Sequence, residues 1–431
     1  MKEKLLDMDA TKIAKLISQN EISSLETTNT YIDFLEKVNP LINCLVEDRF
    51  TEARKEAQEA DRKLKAGENK GRLFGVPISM KESFDVVGMR TTGGLPYRKD
   101  IIEKNDAELV ARLKNEGAII LGKTNTPVLC YYQETDNNLY GLTNNPWNLA
   151  HTVGGSSGGE GAIMAIGGAS VGVGGDIGGS IRFPSHFNGV VGFKSGDKQV
   201  SHIGSYPPIE EPLQLQMLGF GGIAKSVRDT RMINEIIAFK NPPNLDLDSF
   251  TVNILYDNLK YPANELTMAA LKVVKDFLAP NFNIIDEKPP YYEESATLWQ
   301  IIMSIDGARE VAKMCFGSEP VHLVKEFLKE SIFNSSDLHR YITRVLITAN
   351  MMKPSTGKLN RVNRTIDEGN RIIADYLENK LLVLPVYHTP APPHGRVMRE
   401  VFSPFMTFKK YMPFIAYANT WGLPTLTLPI T

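Results

Sequence analysis

The sequence predicts an α/β fold, helices layered on a sheet, and three observations carry that prediction. Helical periodicity fills the first 70 residues. From Leu73 onward short apolar runs alternate with amphipathic helices. No internal repeat, low-complexity tail or obvious linker interrupts the 431 residues.

Taken in order, Ile13, Leu16 and Ile17 mark the inner face of a first helix. Ser23 with Glu26 reads as a capping box opening a second, with Leu25, Ile32, Leu35 and Val38 inward and its end near Pro40. Residues 51–67 form a charged, alanine-rich surface helix closed by Gly67. The run Leu73–Met80 is a strand candidate that delivers Lys81 at its end. Asp106 is placed to cap a helix through Glu116, Gly117 closes it, and residues 118–121 follow as a buried strand. Residues 252–256 read as strand, Glu265 to Phe277 as helix, 320–352 as amphipathic helix, and 381–386 as another buried strand.

Composition narrows the function classes. With 48 basic against 50 acidic side chains, the chain lacks the bulk basicity of a nucleic-acid binder. Cys44, Cys130 and Cys315 share no metal-ligand spacing and are too sparse for a disulfide framework, which fits a reducing, cytoplasmic setting. The N-terminus has no apolar signal-peptide core, and nothing reads as transmembrane.

Glycine is unevenly spread: 12 of the 34 lie between Gly154 and Gly179. Three readings compete. A flexible linker is the plainest, but Ala162, Ile163, Met164, Val171 and Val173 want burial, which linkers do not offer. A phosphate-cradling loop needs a lysine-tailed or strand-to-helix glycine motif, and neither is present. A catalytic loop fits the Gly178-Gly179 pair before Ser180, where converging N–H groups beside a hydroxyl supply an oxyanion hole and a nucleophile. Its base would be one of seven histidines, none in a recognisable triad motif, or a lysine kept neutral by burial.

At this point the segment Gly154 to Lys194 resembles the amidase signature family. Its G-G-S-S-G-G-E-G and D-I-G-G-S-I-R-F-P wording is most similar to the fatty acid amide hydrolase branch; other branches are expected to carry alanine or a similar residue where Glu160-Gly161 stands. The stretch Gly75 to Gly94 resembles the family's lysine-bearing strand. G-K-T-N-T-P at 122–127, T-N-N-P-W-N at 143–148, S-V-R-D at 226–229, L-P-V-Y-H-T-P-A-P at 384–392, and Asn419 with Gly422-Leu423-Pro424 match further landmarks in order.

The resemblance implies Ser180 as nucleophile, Ser156 as bridging serine and Lys81 as base, spaced by 75 and 24 residues. It implies a cis peptide bond between Gly155 and Ser156, and oxyanion donors on the backbone of Ile177, Gly178, Gly179 and Ser180. Asp176 and Arg182 read as a structural ion pair pinning the loop. Departures are Gly175, where threonine or serine is usual, and Val153, where proline is common.

The implied fold is one large domain over 1–431, a mixed twisted sheet covered by helices on both faces. It divides into N-terminal helices (1–70), the signature core (71–200), and the remaining sheet and substrate-side helices (201–431). Family members continue past Leu428-Pro429, so the closing strand and helix are expected to be missing. The implied function is hydrolysis of a small-molecule amide, with an apolar acyl group as one option, and with no metal or cofactor. A subunit releasing ammonia for an amidotransferase, and a catalytically impaired binding protein, are the alternatives. Seven aromatics between Phe402 and Trp421 read first as core and second as an acyl-chain wall, with Pro404 and Pro413 breaking the helix. Residues 320–352 read first as a helix packed on the core and second as a peripheral membrane contact. His388 and His394 read as structural. Oligomeric state is left open.

Overall fold

The structure is a computed structural model that describes residues 2–241, 245–246, 249–316, 322–333, 336, 338–403 and 407–430. Among these, the strands are β1 (Leu45–Asp48), β2 (Pro77–Lys81), β3 (Ile119–Thr124), β4 (Asn144–Asn145), β5 (Asn148–Thr152), β6 (Val171–Asp176), β7 (Val191–Lys194), β8 (Gly219–Ala224), β9 (Thr251–Ile254), β10 (Asn283–Ile285), β11 (Lys380–Val383) and β12 (Thr425–Thr427). Seven make one mixed sheet in the order β1-β3-β2-β6-β8-β7-β12. The central strands β3, β2 and β6 pair in parallel, and the outer pairs are antiparallel. A smaller parallel sheet, β10-β9-β11, stands apart.

Because side chains alternate along a strand, each sheet face needs its own cover. Ser79, Lys81, Gly172 and Gly174 meet the helix Gly158–Ala165 and the turn before it, a Cβ on Gly174 falling 2.7 Å from Ser157 Oγ. On the opposite face Gly222 lies under Thr230 and Ile233 of the helix Val227–Ile237. Helices therefore cover both faces of a mixed sheet, as the sequence predicts. The glycine-dense stretch is a buried helix and a buried strand, which removes the linker reading. Its glycines serve close approach rather than flexibility: a Cβ on Gly159 would fall 2.5 Å from Asn125 N.

Several elements differ in detail from expectation. The helix Ser24–Ile42 runs through Pro40, which sits in its last turn, and ends at Asn43 in left-handed backbone (φ 57°). Asp106 does not cap a helix. Stronger calls on its carboxylate come from Lys114 Nζ at 2.7 Å and Val87 N–H at 2.8 Å, and the helix Glu108–Asn115 starts after Ala107 without a side-chain cap. The run 381–386 is strand only over Lys380–Val383 and is half-buried, since it forms an edge of the smaller sheet.

Of the 320–352 stretch, residues 320–321, 334–335 and 337 lie outside the described residues. The rest forms a helix Leu323–Leu328, a π turn Lys329–Phe333 and a helix Arg340–Met352. Leu338, Ile342 and Leu346 pack inward, while Val324, Leu328, Ile332 and Phe333 are exposed. Among the described residues no helix is long and apolar enough to cross a membrane.

Candidate active site

Strand β2 is buried along its whole length and ends in Lys81, whose side-chain nitrogen therefore reaches the sheet's carboxyl edge from inside the core. There Lys81 Nζ donates to Ser156 Oγ at 2.7 Å. Ser156 follows a cis peptide bond from Gly155 and stands in the turn before the helix Gly158–Ala165. Gly155 must be glycine at this crossing, since a Cβ would sit 2.6 Å from the carbonyl oxygens of both Tyr132 and Glu134.

The neighbouring strand β6 ends in Asp176, and the chain then turns sharply through Ile177, Gly178 and Gly179 (φ +96°) into Ser180. The buried Asp176 carboxylate organises this turn. It accepts the N–H groups of Gly179 at 2.9 Å and Ile181 at 3.1 Å, and Asn419 Nδ2 at 2.9 Å. Arg182 clamps it with Nε at 3.0 Å and Nη2 at 2.9 Å, while donating through Nη1 to Ile415 O at 2.9 Å. Arg182 Nη2 also reaches Asn419 Oδ1. Burial alone would raise the Asp176 carboxyl, but the Arg182 guanidinium holds it well below the usual carboxylate range. Gly179, expected among the oxyanion donors, has its N–H on Asp176, while Ile177, Gly178 and Ser180 line the cavity. The carbonyl of Ser180 accepts Ser157 N–H at 3.1 Å, which joins the two serine turns.

Lys81, Ser156 and Ser180 all line one cavity of about 430 Å³. Its walls are mostly apolar, with Leu129, Tyr131, Phe220, Trp299 and Met303 prominent. None of the seven histidines lines it. Two other lysines are buried but point elsewhere. Burial pushes Lys194 down to about 7, yet it donates to Ser195 O and Leu423 O. Burial also lowers Lys123, which is spent on Thr91 Oγ1 at 2.7 Å. Only Lys81 among them touches a serine of the loop.

The structure adds residues that sequence reasoning passed over. Trp299 lies against Gly178, where a Cβ would meet its ring at 2.6 Å, and donates Nε1–H to Ile177 O at 2.8 Å. A lone tryptophan in a helical stretch carried no signal for this. Asn419 was visible as a motif position, but its bridge between Asp176 and Arg182 was not. Gly175 answers Phe220: a Cβ there would fall 2.9 Å from that ring. Of the seven aromatics, Phe414, Tyr417 and Trp421 are buried core and Phe402 lines the cavity. Phe405, Pro404 and the Phe408 side chain lie outside the described residues. His388 pairs with Glu400 at 3.0 Å, and His394 meets Leu149 O at 3.0 Å.

The sequence model of the Amidase family matches residues 26–431. Fatty-acid amide hydrolase 2-B of Danio rerio is 45% identical over 250 residues, covering 56% of this chain and 47% of that protein. Fatty-acid amide hydrolase 2 of Homo sapiens is 41% identical over 254 residues, 57% of this chain and 48% of that protein. The matched region thus spans about half the length of these relatives. A solved structure described as fatty acid amide hydrolase superposes with a TM-score of 0.82 at 25% identity, covering 99% of this chain and 74% of its own.

Proposed function

From the premise that this chain belongs to the Amidase family, we propose that it hydrolyses a carboxylic acid amide, with Ser180 as nucleophile, Ser156 as proton bridge and Lys81 as base. The observation that carries this reading is the 2.7 Å contact from Lys81 Nζ to Ser156 Oγ inside a cavity shared with Ser180 and free of histidine. Neutral Lys81 takes the Ser156 proton as Ser156 takes that of Ser180, whose oxygen attacks the amide carbonyl. The resulting oxyanion meets the backbone N–H groups of Ile177, Gly178 and Ser180, with Gly179 held behind them on Asp176. The relay then returns a proton to the leaving nitrogen, and water cleaves the acyl-enzyme.

Proton relay of this kind contributes about 10²–10⁴-fold and each oxyanion donor about 10²–10³-fold. Because the base acts in its neutral form, the rate rises from neutral to alkaline pH. The apolar walls favour an apolar acyl group over a charged one. We also propose that the whole chain, 1–431, acts as one domain, and that the exposed apolar residues of 323–333 give it a peripheral contact with a membrane surface.

A panel of primary and N-substituted amides, from short to long acyl chains, tests the activity. Intact mass should show an acyl adduct in the native protein that is absent in both Ser180→Ala and Lys81→Ala. An adduct surviving in Ser180→Ala moves the nucleophile elsewhere. Ammonia release only in the presence of a partner subunit would favour the amidotransferase reading, and no reaction with a serine-directed probe the impaired binding protein.

A further inference from the structure

Glu160 is fully buried on the helix Gly158–Ala165, four residues after Ser156 in the turn that leads into it, and has no part in the mechanism above. Its Oε2 accepts Ser79 Oγ–H at 2.7 Å and its Oε1 accepts Thr124 Oγ1–H at 2.9 Å. Ser79 precedes Lys81 by two residues, so both project from one face of β2. The helix and the turn before it therefore meet this strand on two rungs, Glu160 on Ser79 and Ser156 on Lys81, each 2.7 Å long. The space for the carboxyl is reserved. Gly172 pairs with Ser79 across the sheet, and a Cβ there would fall 1.7 Å from Glu160 Oε2. Burying a carboxyl is costly where an apolar residue of that size would pack, so its retention calls for a role.

We infer that Glu160 is a positioning residue for the proposed reaction: its carboxyl, seated between Ser79 and Thr124, fixes the helix on β2 in the register that brings Ser156 Oγ to Lys81 Nζ. The inference rests on Lys81 being the base.

The surroundings of Glu160 leave Lys81 as its chief electrostatic correspondent. Strand β2 contributes Lys81, and the segment before β1 the Cys44 thiol, which burial pushes up to about 12. From β3 comes the Thr124 hydroxyl, from β6 Gly172, from β8 no ionisable group, and Arg182 on the helix Arg182–Asn188 is engaged with Asp176. Burial pushes the Glu160 carboxyl up to about 7, against the Ser79 and Thr124 hydroxyls and the Lys81 charge, which pull it down.

Two variants separate the rung from its truncation. Glu160→Gln keeps the shape and a hydrogen-bonding end, and kcat should stay close to native. Glu160→Ala loses the rung, and kcat should fall about 10²-fold with KM little changed. Ser79→Ala, a smaller lesion to the same rung, should lower kcat in the same direction and serves if Glu160→Ala does not fold. In parallel, acylation of Lys81 by an amine-reactive reagent, read by mass spectrometry, should be faster in Glu160→Ala, where Ser156 no longer holds that amine, and native-like in Glu160→Gln, without any amide being hydrolysed. Native kcat and native labelling in Glu160→Ala overturn the inference. Native protein that hydrolyses no amide, with labelling still changed in Glu160→Ala, overturns the proposed function and leaves the positioning standing.

Discussion

Asp176 sits where one side chain decides the geometry of several. Its carboxylate gathers two loop N–H groups, a guanidinium and an amide in a site closed to water. Taking away one partner leaves a buried charge unpaired, so Arg182→Met should cost about 3–5 kcal/mol, read as a lower urea midpoint. A second ionic cluster, around Glu400, sets acid tolerance. Burial would raise the Glu400 carboxyl, but hydrogen bonds from His388, Tyr387 and Arg396 bring it down to about 2. A carboxyl lowered on folding stabilises the protein above its unfolded value, and that contribution is lost as pH falls through the folded one. Stability contributed by Glu400 should therefore disappear between about pH 4.3 and pH 2. Glu400→Gln should flatten thermal stability against pH across that window; an unchanged slope would exclude the cluster as its source.

At the scale of elements, the contrast between two helical glycines tests why the segment is so rich in them. Gly159 lies on the helix that crosses β3, where a Cβ would overlap the Asn125 and Cys44 backbone at 2.5 and 2.7 Å. Gly357 stands in the exposed first turn of the helix Thr356–Tyr376, with open space around it. Propensity alone favours alanine at both by up to about 1 kcal/mol. Gly357→Ala should stabilise by at most that amount, whereas Gly159→Ala should destabilise by about 1–3 kcal/mol through overpacking, both measured by urea denaturation. The alternation of helix and strand, the lysine at a strand end and the serine after paired glycines were all legible in sequence, because each is a local pattern. What sequence hid was competition between distant partners. Asp106 looks like a cap until Lys114 and Val87 claim it, and nothing near Trp299 announces that its ring will press on a loop more than a hundred positions earlier.

For the molecule as a whole, the proposed site and the exposed apolar patch make separate demands. Val324, Leu328, Ile332 and Phe333 are 59, 46, 64 and 71% exposed, well away in sequence from the turns that carry Ser156 and Ser180. The protein should float with phosphatidylcholine liposomes, and Val324→Glu with Phe333→Glu should return it to the bottom fraction while hydrolysis of a short, soluble amide stays unchanged. Flotation that survives the double substitution would place the contact elsewhere. The cavity also gives the molecule an optical property. Of its three tryptophans, Trp147 is 73% exposed and Trp421 is packed in the core, while Trp299 lines the cavity with its indole over Gly178. Any group that fills the space beside Ser180 changes the polarity around that indole alone, so the difference in emission between the free and occupied protein belongs to one residue, and turnover becomes visible without a label.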